Sequence, residues 1–401
     1  MVNKVPTDFP ERVALVHEWF SSRSTGGAEQ VVHAIDNLIL SLGSKPQLFS
    51  LVESESARPD SWLFGRSIET SFIQNLPFGS SHVQRFLPLL PYAIEQIDLS
   101  DYPLVVSSNH LVAKGILTSP DQLHISYIHT PVRYAWDQMN VYLKRSSLRK
   151  VGLEPLIRWQ LHQLRQWDQL SAARVDCILA NSSFTARRIF KYWGRRAQIV
   201  HPPVEVDRFS FCERRDEYYL CLCRLVPNKK VDVVVEAFNL LKLPLIIVGE
   251  GPERNYLEKI AGPNIEFLGF QSRRNVERLM ERCRAYVYAG VEDFGIAPVE
   301  AMAAGAPVIA LAKGGLLDTI TCARKDINTS TGVLFSNQTM ESLFEAVSWF
   351  EEKRIYEKLS PELINQRAQE FRPEVFSRNF QSALKTAWEG HLKSSLCGSF
   401  N

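Results

Sequence analysis

Residues 285–318 read AYVYAGVEDFGIAPVEAMAAGAPVIALAKGGLLD, and the turn signals inside this stretch decide the fold class. An apolar run of β-branched and aromatic residues at 285–289 stops at Gly290, and a polar turn follows. Pro298 suits the first turn of a helix, where a missing N–H costs nothing. Good helix formers, Ala301 to Ala304, carry that helix to Gly305, with Pro307 just beyond. A second apolar strand at 308–311 then leads to the tight turn at Gly314 and Gly315 and a further short helix. Strand, glycine loop, helix and strand in this order predict a parallel α/β layer.

Two helix N-termini beside glycines present backbone N–H groups, an arrangement suited to a phosphate or diphosphate. Glu292 in the loop and Glu300 in the helix interrupt the apolar rhythm. Acids are common near helix starts, and a carboxylate there can equally accept hydrogen bonds from a pair of sugar hydroxyls. The longer string EDFGIAPVEAMAAGAPVIA, followed by GG, resembles the donor-binding signature of family 4 glycosyltransferases. These are retaining enzymes with two Rossmann-like α/β domains facing each other across a cleft, the GT-B fold. The resemblance implies that Glu292 meets the transferred sugar and Glu300 holds the ribose of the nucleotide. It also implies that the amides around Phe294, Gly295 and Ile296 hold the distal phosphate.

At 401 residues the chain exceeds one ordinary core and predicts two domains, at 1–200 and 201–372, followed by a terminal helical segment at 373–401. In the resembled family that last helix crosses back to brace the first domain. The formal net charge is only +2, with the basic excess in the first half. Seven cysteines without C-x-x-C pairs near histidines argue for reduced thiols in a cytoplasmic protein and against structural zinc. The polar, proline-broken start shows no signal peptide, and no apolar run reaches the ~18–20 residues that span a bilayer. Work at a membrane is then expected to be peripheral, at the inner face.

In the first half, VALVH at 13–17 reads as a strand, and the next loop ends in Gly26 and Gly27 before a helix with Val31, Val32, Ile35, Leu38 and Ile39 on one face. The G-x-G-x-x-G spacing is missing, which disfavours a dehydrogenase. The two glycines serve either tight strand-to-helix packing or, as the resemblance implies, a loop reaching over the donor diphosphate and the acceptor. Further strands are predicted at 47–52, 104–107, 124–128 and 177–180, while 60–80 reads as loop with short helices.

His129 follows an apolar strand, where a parallel sheet delivers side chains to its ligand crevice. Its context, YIHTPVRYAWD, resembles a segment in the branch of family 4 that builds bacterial O-antigens and exopolysaccharides, often with mannose. The resemblance places His129 on the donor sugar and phosphate. Arg133 and Asp137 are either acceptor-site residues or an ordinary i,i+4 bridge. Two basic stretches follow, KRSSLRK at 144–150 and ARRIFKYWGRR at 186–196. The second mixes five cations with Phe190, Tyr192 and Trp193, which fits either an anionic bilayer surface or a solvated face with its aromatics turned inward. No nucleic-acid motif accompanies it.

IVHPPVEVDRF at 199–209 reads as the interdomain link, and a new sheet is predicted from YYLCL at 218–222. Arg224 and Lys229 follow that strand and can neutralise a diphosphate, as the family's phosphate-binding Arg and Lys do. Cys223 and Lys230 stand where the family often has glycine. Strands at 245–248 and 265–268 repeat the plan, with the backbone around Phe270 implied to meet the base.

The chain has no D-x-D pair, so the expectation is metal-independent transfer with no cofactor. GDP-mannose is the expected donor and a glycan or lipid-linked precursor the expected acceptor, with a UDP-sugar as the alternative donor. A two-lobed epimerase or phosphorylase and a non-catalytic sugar-nucleotide-binding subunit are the rival classes.

Overall fold

The apolar runs of the first half become the centre of a seven-stranded parallel sheet. Its strands are β1 (Arg12–Phe20), β2 (Lys45–Glu53), β3 (Ile68–Thr70), β4 (Leu104–Asn109), β5 (Leu123–Ile128), β6 (Cys177–Ala180) and β7 (Gln198–Ile199), in the order β3-β2-β1-β4-β5-β6-β7. β1 is buried from Val13 to Phe20, on both faces, as a parallel sheet covered by helices requires. In this computed structural model residues 9–21, 26–140, 143, 152, 154–210, 212 and 214–397 are described, 395–397 by backbone alone.

The chain divides into two compact units, Met1–His201 with Phe376–Asn401, and Pro202–Val375. In the first, the helix Gly27–Ser41 lays Val31, Val32, Ile35 and Ile39 against Val13, Leu15 and Val106. The long helix Pro373–Cys397 joins the same core from Phe376 onward: Phe376, Phe380, Leu384 and Trp388 are buried there, and the Phe376 ring lies 5.9 Å from that of Tyr127. Each such burial stabilises by about 1.5–3 kcal/mol, so Phe380→Ala would cost roughly 3–5 kcal/mol once its cavity is counted.

The second unit holds a six-stranded parallel sheet: β8 (Tyr219–Leu222), β9 (Leu245–Val248), β10 (Ile265–Gly269), β11 (Ala285–Tyr288), β12 (Val308–Leu311) and β13 (Gly332–Phe335), ordered β10-β9-β8-β11-β12-β13. From β8 the chain steps to β9 and β10 on one side, then returns to β11 on the other. The strand order thus reverses between β8 and β11, and the carboxyl ends of strands at such a switch point are where open α/β sheets take ligands. Both sheets have the α/β plan predicted from the sequence.

The differences lie at the edges. β3, β7 and β13 are terminal strands of their sheets and escaped prediction. Residues 60–80 contain β3 and the short 3-10 helix Phe72–Asn75, capped by the Ser71 hydroxyl. The basic segment 144–150 lies outside the described residues. Among the described residues no helix is long and apolar enough to cross a membrane.

Candidate functional site

In the second unit, the loops after β8, β9, β11 and β12 are laced together by backbone bonds. Cys223 N–H donates to Val248 O at 3.1 Å and Leu225 N–H to Glu250 O at 2.9 Å, holding the Arg224 loop against the loop after β9. Gly249 permits this approach: its φ is +134°, and a Cβ there would lie 2.0 Å from Cys223 O. Glu292 is held from the other side, since Gly315 N–H donates to Glu292 O at 2.9 Å. At Gly314, with φ +88°, a Cβ would sit 2.4 Å from the same oxygen.

These loops bring Glu292 and Lys229 together. The Glu292 carboxylate accepts hydrogen bonds from Lys229 Nζ and from the Tyr288 hydroxyl, both on Oε1. Burial, and then the charge of Glu292, push the Tyr288 phenol far above its ordinary range, so it stays protonated and donates. Arg224 is exposed and makes no side-chain ion pair among the described residues. Lys230 adopts φ +57°, ψ 40°, so the left-handed bend that glycine usually supplies is kept by a lysine.

Gly295, at φ +97°, precedes the helix Ile296–Ala303 as its cap. Phe294 is an anchor as well as a backbone position: its ring is buried and packs edge-on to Phe371 at 5.5 Å. Glu300, the fifth residue of that helix, pairs with Arg208. Burial raises the Glu300 pKa, with Arg208 opposing the shift. Phe270, just beyond β10, is 83% exposed.

In the first unit, His129 follows β5 and its Nε2 lies 2.8 Å from Ser108 Oγ. Burial of the ring, with the His110 and His17 charges beside it, lowers its pKa to about 3, so it acts as a neutral hydrogen-bonding group. Behind it, buried Glu18 accepts four consecutive backbone N–H bonds on Oε1, from His110, Leu111, Val112 and Ala113, at 2.8–3.1 Å. Burial opposes its ionisation, but His110, 2.9 Å from Oε2, and these amides outweigh that and hold its pKa far below the usual carboxylate range. His17, Glu18 and His110 are close enough to share an ion. His17 Nδ1 nonetheless donates to Ser108 O at 3.1 Å, so the group already serves as a brace.

Asp137 is held from the helix Ser183–Trp193. Its ion pair is with Arg188, at 3.0 Å, and Arg188 also donates to Thr130 Oγ1 at 2.7 Å and to Pro131 O at 3.3 Å. Residues 130–137 are thus fastened to the helix Ser183–Trp193. In 186–196, Tyr192 and Trp193 turn inward as the second alternative expects, and two of the five cations find partners inside as well. Arg188 points inward, Arg195 caps Ala172, Ala173 and Val175 carbonyls, Trp193 is buried and Tyr192 stacks on Trp136 at 4.6 Å. Arg187, Phe190, Lys191 and Arg196 remain exposed. Gly26 and Gly27 start the helix Gly27–Ser41, with Gly26 N–H bonded to Glu29 Oε2 at 2.9 Å.

Gly26, Gly27, His129, Arg133 and Asp137 therefore belong to the first unit, and Arg224, Lys229, Glu292, Phe294, Gly295, Ile296 and Glu300 to the second. Sequence reasoning missed Tyr288, Arg208 and Glu18. Glu18 left a signal, an acid at the end of an apolar strand run; Arg208 left only a cation in the linking segment.

Residues 205–370 match the family described as Glycosyl transferases group 1. The matched segment holds Arg208, Arg224, Lys229, Tyr288, Glu292, Phe294, Gly295, Ile296 and Glu300. Among curated proteins, the chain is 24% identical over 308 residues to alpha-1,3/1,6-mannosyltransferase ALG2 of Candida glabrata, covering 62% of this chain and 65% of that one. It is 28% identical over 225 residues to a GDP-mannose-dependent alpha-(1-6)-phosphatidylinositol monomannoside mannosyltransferase of Mycobacterium tuberculosis, covering 45% and 56%. The matches thus span less than two thirds of these relatives. Among solved structures, sucrose-phosphate synthase of Thermosynechococcus elongatus shares the fold with a TM-score of 0.70 and 16% identity, covering 95% of this chain and 100% of that one. Anabaena HepE, solved with UDP and glucose, gives 0.62 and 14%, covering 93% and 99%.

Proposed function

We propose that the protein is a retaining hexosyltransferase that moves mannose from GDP-mannose onto a glycan or lipid-linked acceptor, in the synthesis of a cell-surface polysaccharide of the O-antigen or exopolysaccharide kind. The observation that carries this reading is the joining of Lys229, Tyr288 and Glu292 at the β8/β11 switch point, beside an unpaired Arg224.

As bond breaking proceeds, negative charge grows on the leaving diphosphate and positive charge on the sugar ring. Arg224, Lys229 and the amides of Gly295 and Ile296 meet the first, and Glu292 meets the second. Tyr288 holds the Glu292 carboxylate in place by donating to it. Glu300 takes the ribose hydroxyls, and exposed Phe270 lies at the base end. Neutral His129 hydrogen-bonds the donor sugar and phosphate, Gly26 and Gly27 bring backbone close to the donor, and Arg133 and Asp137 shape the acceptor side. Two cations at the diphosphate make a divalent ion unnecessary, so the reaction is metal-independent.

The mannosyltransferase names of the two curated relatives support mannose, as does the HTPVRYAWD segment. The UDP and glucose in the HepE structure favour a UDP-sugar as the second reading. The protein works in the cytoplasm, peripherally at the inner membrane face, with Arg187, Phe190, Lys191 and Arg196 toward anionic lipid. Phe190→Ser combined with Arg187→Ser and Arg196→Ser should abolish sedimentation with anionic liposomes; unchanged sedimentation removes the membrane contact.

The deciding experiment offers GDP-mannose, UDP-glucose and UDP-galactose without added metal and follows nucleoside diphosphate release. GDP release from GDP-mannose is the expected outcome. UDP release alone transfers the reading to UDP-sugars, and release from no donor turns it into that of a non-catalytic subunit.

A further inference from the structure

The chain enters the second unit at Pro202 and soon forms the single 3-10 turn Val206–Arg208. This turn is fastened from several sides: Val204 N–H donates to Phe371 O at 2.8 Å, Val206 is buried in the second unit's core, and Asp207 pairs with Arg372 at 2.8 Å. Arg208 therefore leaves from a fixed backbone. Its guanidinium lies over the Phe209 ring, 4.4 Å from the centroid, and spans two carboxylates, Glu277 at 3.5 Å and Glu300. Arg273 in turn reaches Glu277 at 3.4 Å, so charges alternate along Arg273, Glu277, Arg208 and Glu300. On Glu300 the hydrogen bond falls on Oε1; Oε2 accepts none among the described residues, and part of the side chain stays open to solvent.

We propose that Arg208 is a positioning residue for the ribose of the nucleotide: it clamps Glu300 through one oxygen and leaves the other to accept from the ribose hydroxyls, an inference that rests on the transferase reading above. A glutamate already held by a guanidinium gives up little rotamer freedom when the ribose arrives. The clamp also governs ionisation. Burial raises the Glu300 pKa; Arg208 opposes the rise, with Arg273 helping and Glu277 working against them. The other elements packed on the helix Ile296–Ala303 use their polar groups elsewhere. From the helix Pro361–Gln369, Arg367 donates to the Thr319 and Asp318 carbonyls and Glu362 accepts from the Ser360 hydroxyl. From β11, the Tyr286 and Tyr288 phenols donate to Leu222 O and to Glu292, and burial keeps both protonated. β12 carries no titratable side chain. Without Arg208 the Glu300 carboxyl takes its proton at higher pH, and the protonated group offers the diol one acceptor fewer. Nucleotide affinity therefore falls as pH falls through the Glu300 pKa, and loss of Arg208 moves that fall to higher pH.

Calorimetry on the full chain tests this with GDP-mannose and UDP-glucose, sugar nucleotides whose diphosphate, esterified at both ends, has no protonation step near neutral pH. For whichever binds, Arg208→Gln should weaken affinity about fivefold or more at neutral pH and move the acid-side midpoint of the affinity profile up by about one pH unit. Arg208→Lys keeps a cation beside Glu300 and should hold that midpoint within about half a pH unit of wild type. GDP and UDP, each compared with its 2′,3′-dideoxy analogue, separate action on the ribose from a structural role: both variants should weaken the natural nucleotide and leave the analogue within about twofold. Should Arg208→Gln fail to fold, Arg208→Lys carries this comparison. The proposal is overturned if the variants bind as tightly as wild type, if they bind more tightly, which would make Arg208 a competitor of the ribose, if the midpoint of Arg208→Gln does not move, or if natural and dideoxy nucleotides lose affinity alike. A chain that binds neither sugar nucleotide loses the transferase reading and this inference together, whereas normal nucleotide binding that ignores Arg208 removes this inference alone.

Discussion

Lys114 and Asp168 in the first unit meet at 2.7 Å with both side chains fully buried, whereas Lys229 and Glu292 in the second keep 22% and 21% of their side chains exposed. The chemistry of the two pairs is the same. Around Lys114, Ser171 Oγ also accepts at 2.9 Å, and the Trp167 and Trp193 rings lie 5.0 and 4.8 Å away. Asp168 Oδ2 accepts from the Trp136 and Trp193 indoles at 2.8 and 2.7 Å. Burial depresses the Lys114 pKa and Asp168 opposes it. Nothing is left over to meet a ligand, so this pair fixes structure: it ties the helix Glu154–Ala173 to the helix Ser183–Trp193 and to the segment after His129. Lys229 and Glu292 sit instead at the carboxyl edge of their sheet, each within reach of solvent. Exposure and place in the fold, more than pairing itself, separate a brace from a site.

The largest expected effect falls on the brace. Asp168→Ala leaves a buried lysine without its counter-ion and two indoles without an acceptor, and should cost about 3–5 kcal/mol in urea unfolding. A loss below about 1 kcal/mol would erase the contrast drawn here. Glu300→Ala should instead act on binding: calorimetry should show GDP affinity falling roughly tenfold or more, as a charge-assisted hydrogen bond worth about 1.5–3 kcal/mol is lost. Unaltered affinity would remove Glu300 from the ribose.

Acid tests the buried interior of the first unit. His124, fully buried with Nε2 2.8 Å from Ser107 Oγ, has its pKa pushed down to about 3 by burial, with Arg174 and Lys114 adding to the shift. The native protein keeps this ring neutral, while the unfolded chain protonates it near 6.5. Its contribution is therefore complete above pH 6.5 and is lost as pH falls toward 3. By pH 5 the loss should approach about 2 kcal/mol, and His124→Asn should flatten that part of the stability profile. An unchanged slope would exclude His124 as its source. The smallest effect concerns Lys230: at φ +57°, Lys230→Gly should stay within about 1 kcal/mol of wild type in thermal melts, and Lys230→Val should lose about 1–2 kcal/mol. Equal stabilities would show that the bend relaxes.

Central strands were legible because parallel sheets bury both faces, leaving unbroken apolar runs such as 245–248 and 308–311. β7 was not, since both its residues are exposed and it has only a single neighbour in the sheet. The second-unit site was legible because its loops carry their chemistry in short contiguous strings. Arg208 was not, since it reaches Glu300 from 92 residues away. Tyr288 read as an ordinary strand aromatic, and the inward turn of Arg188 and Arg195 depends on tertiary partners that composition cannot reveal.

The central claim is that Glu292 serves the reaction and leaves the fold untouched. Glu292→Ala should melt within a few degrees of wild type while nucleoside diphosphate release from the preferred donor falls at least ~100-fold, the scale of removing one transition-state charge stabiliser. Near-normal release from a well-folded Glu292→Ala protein would contradict the account.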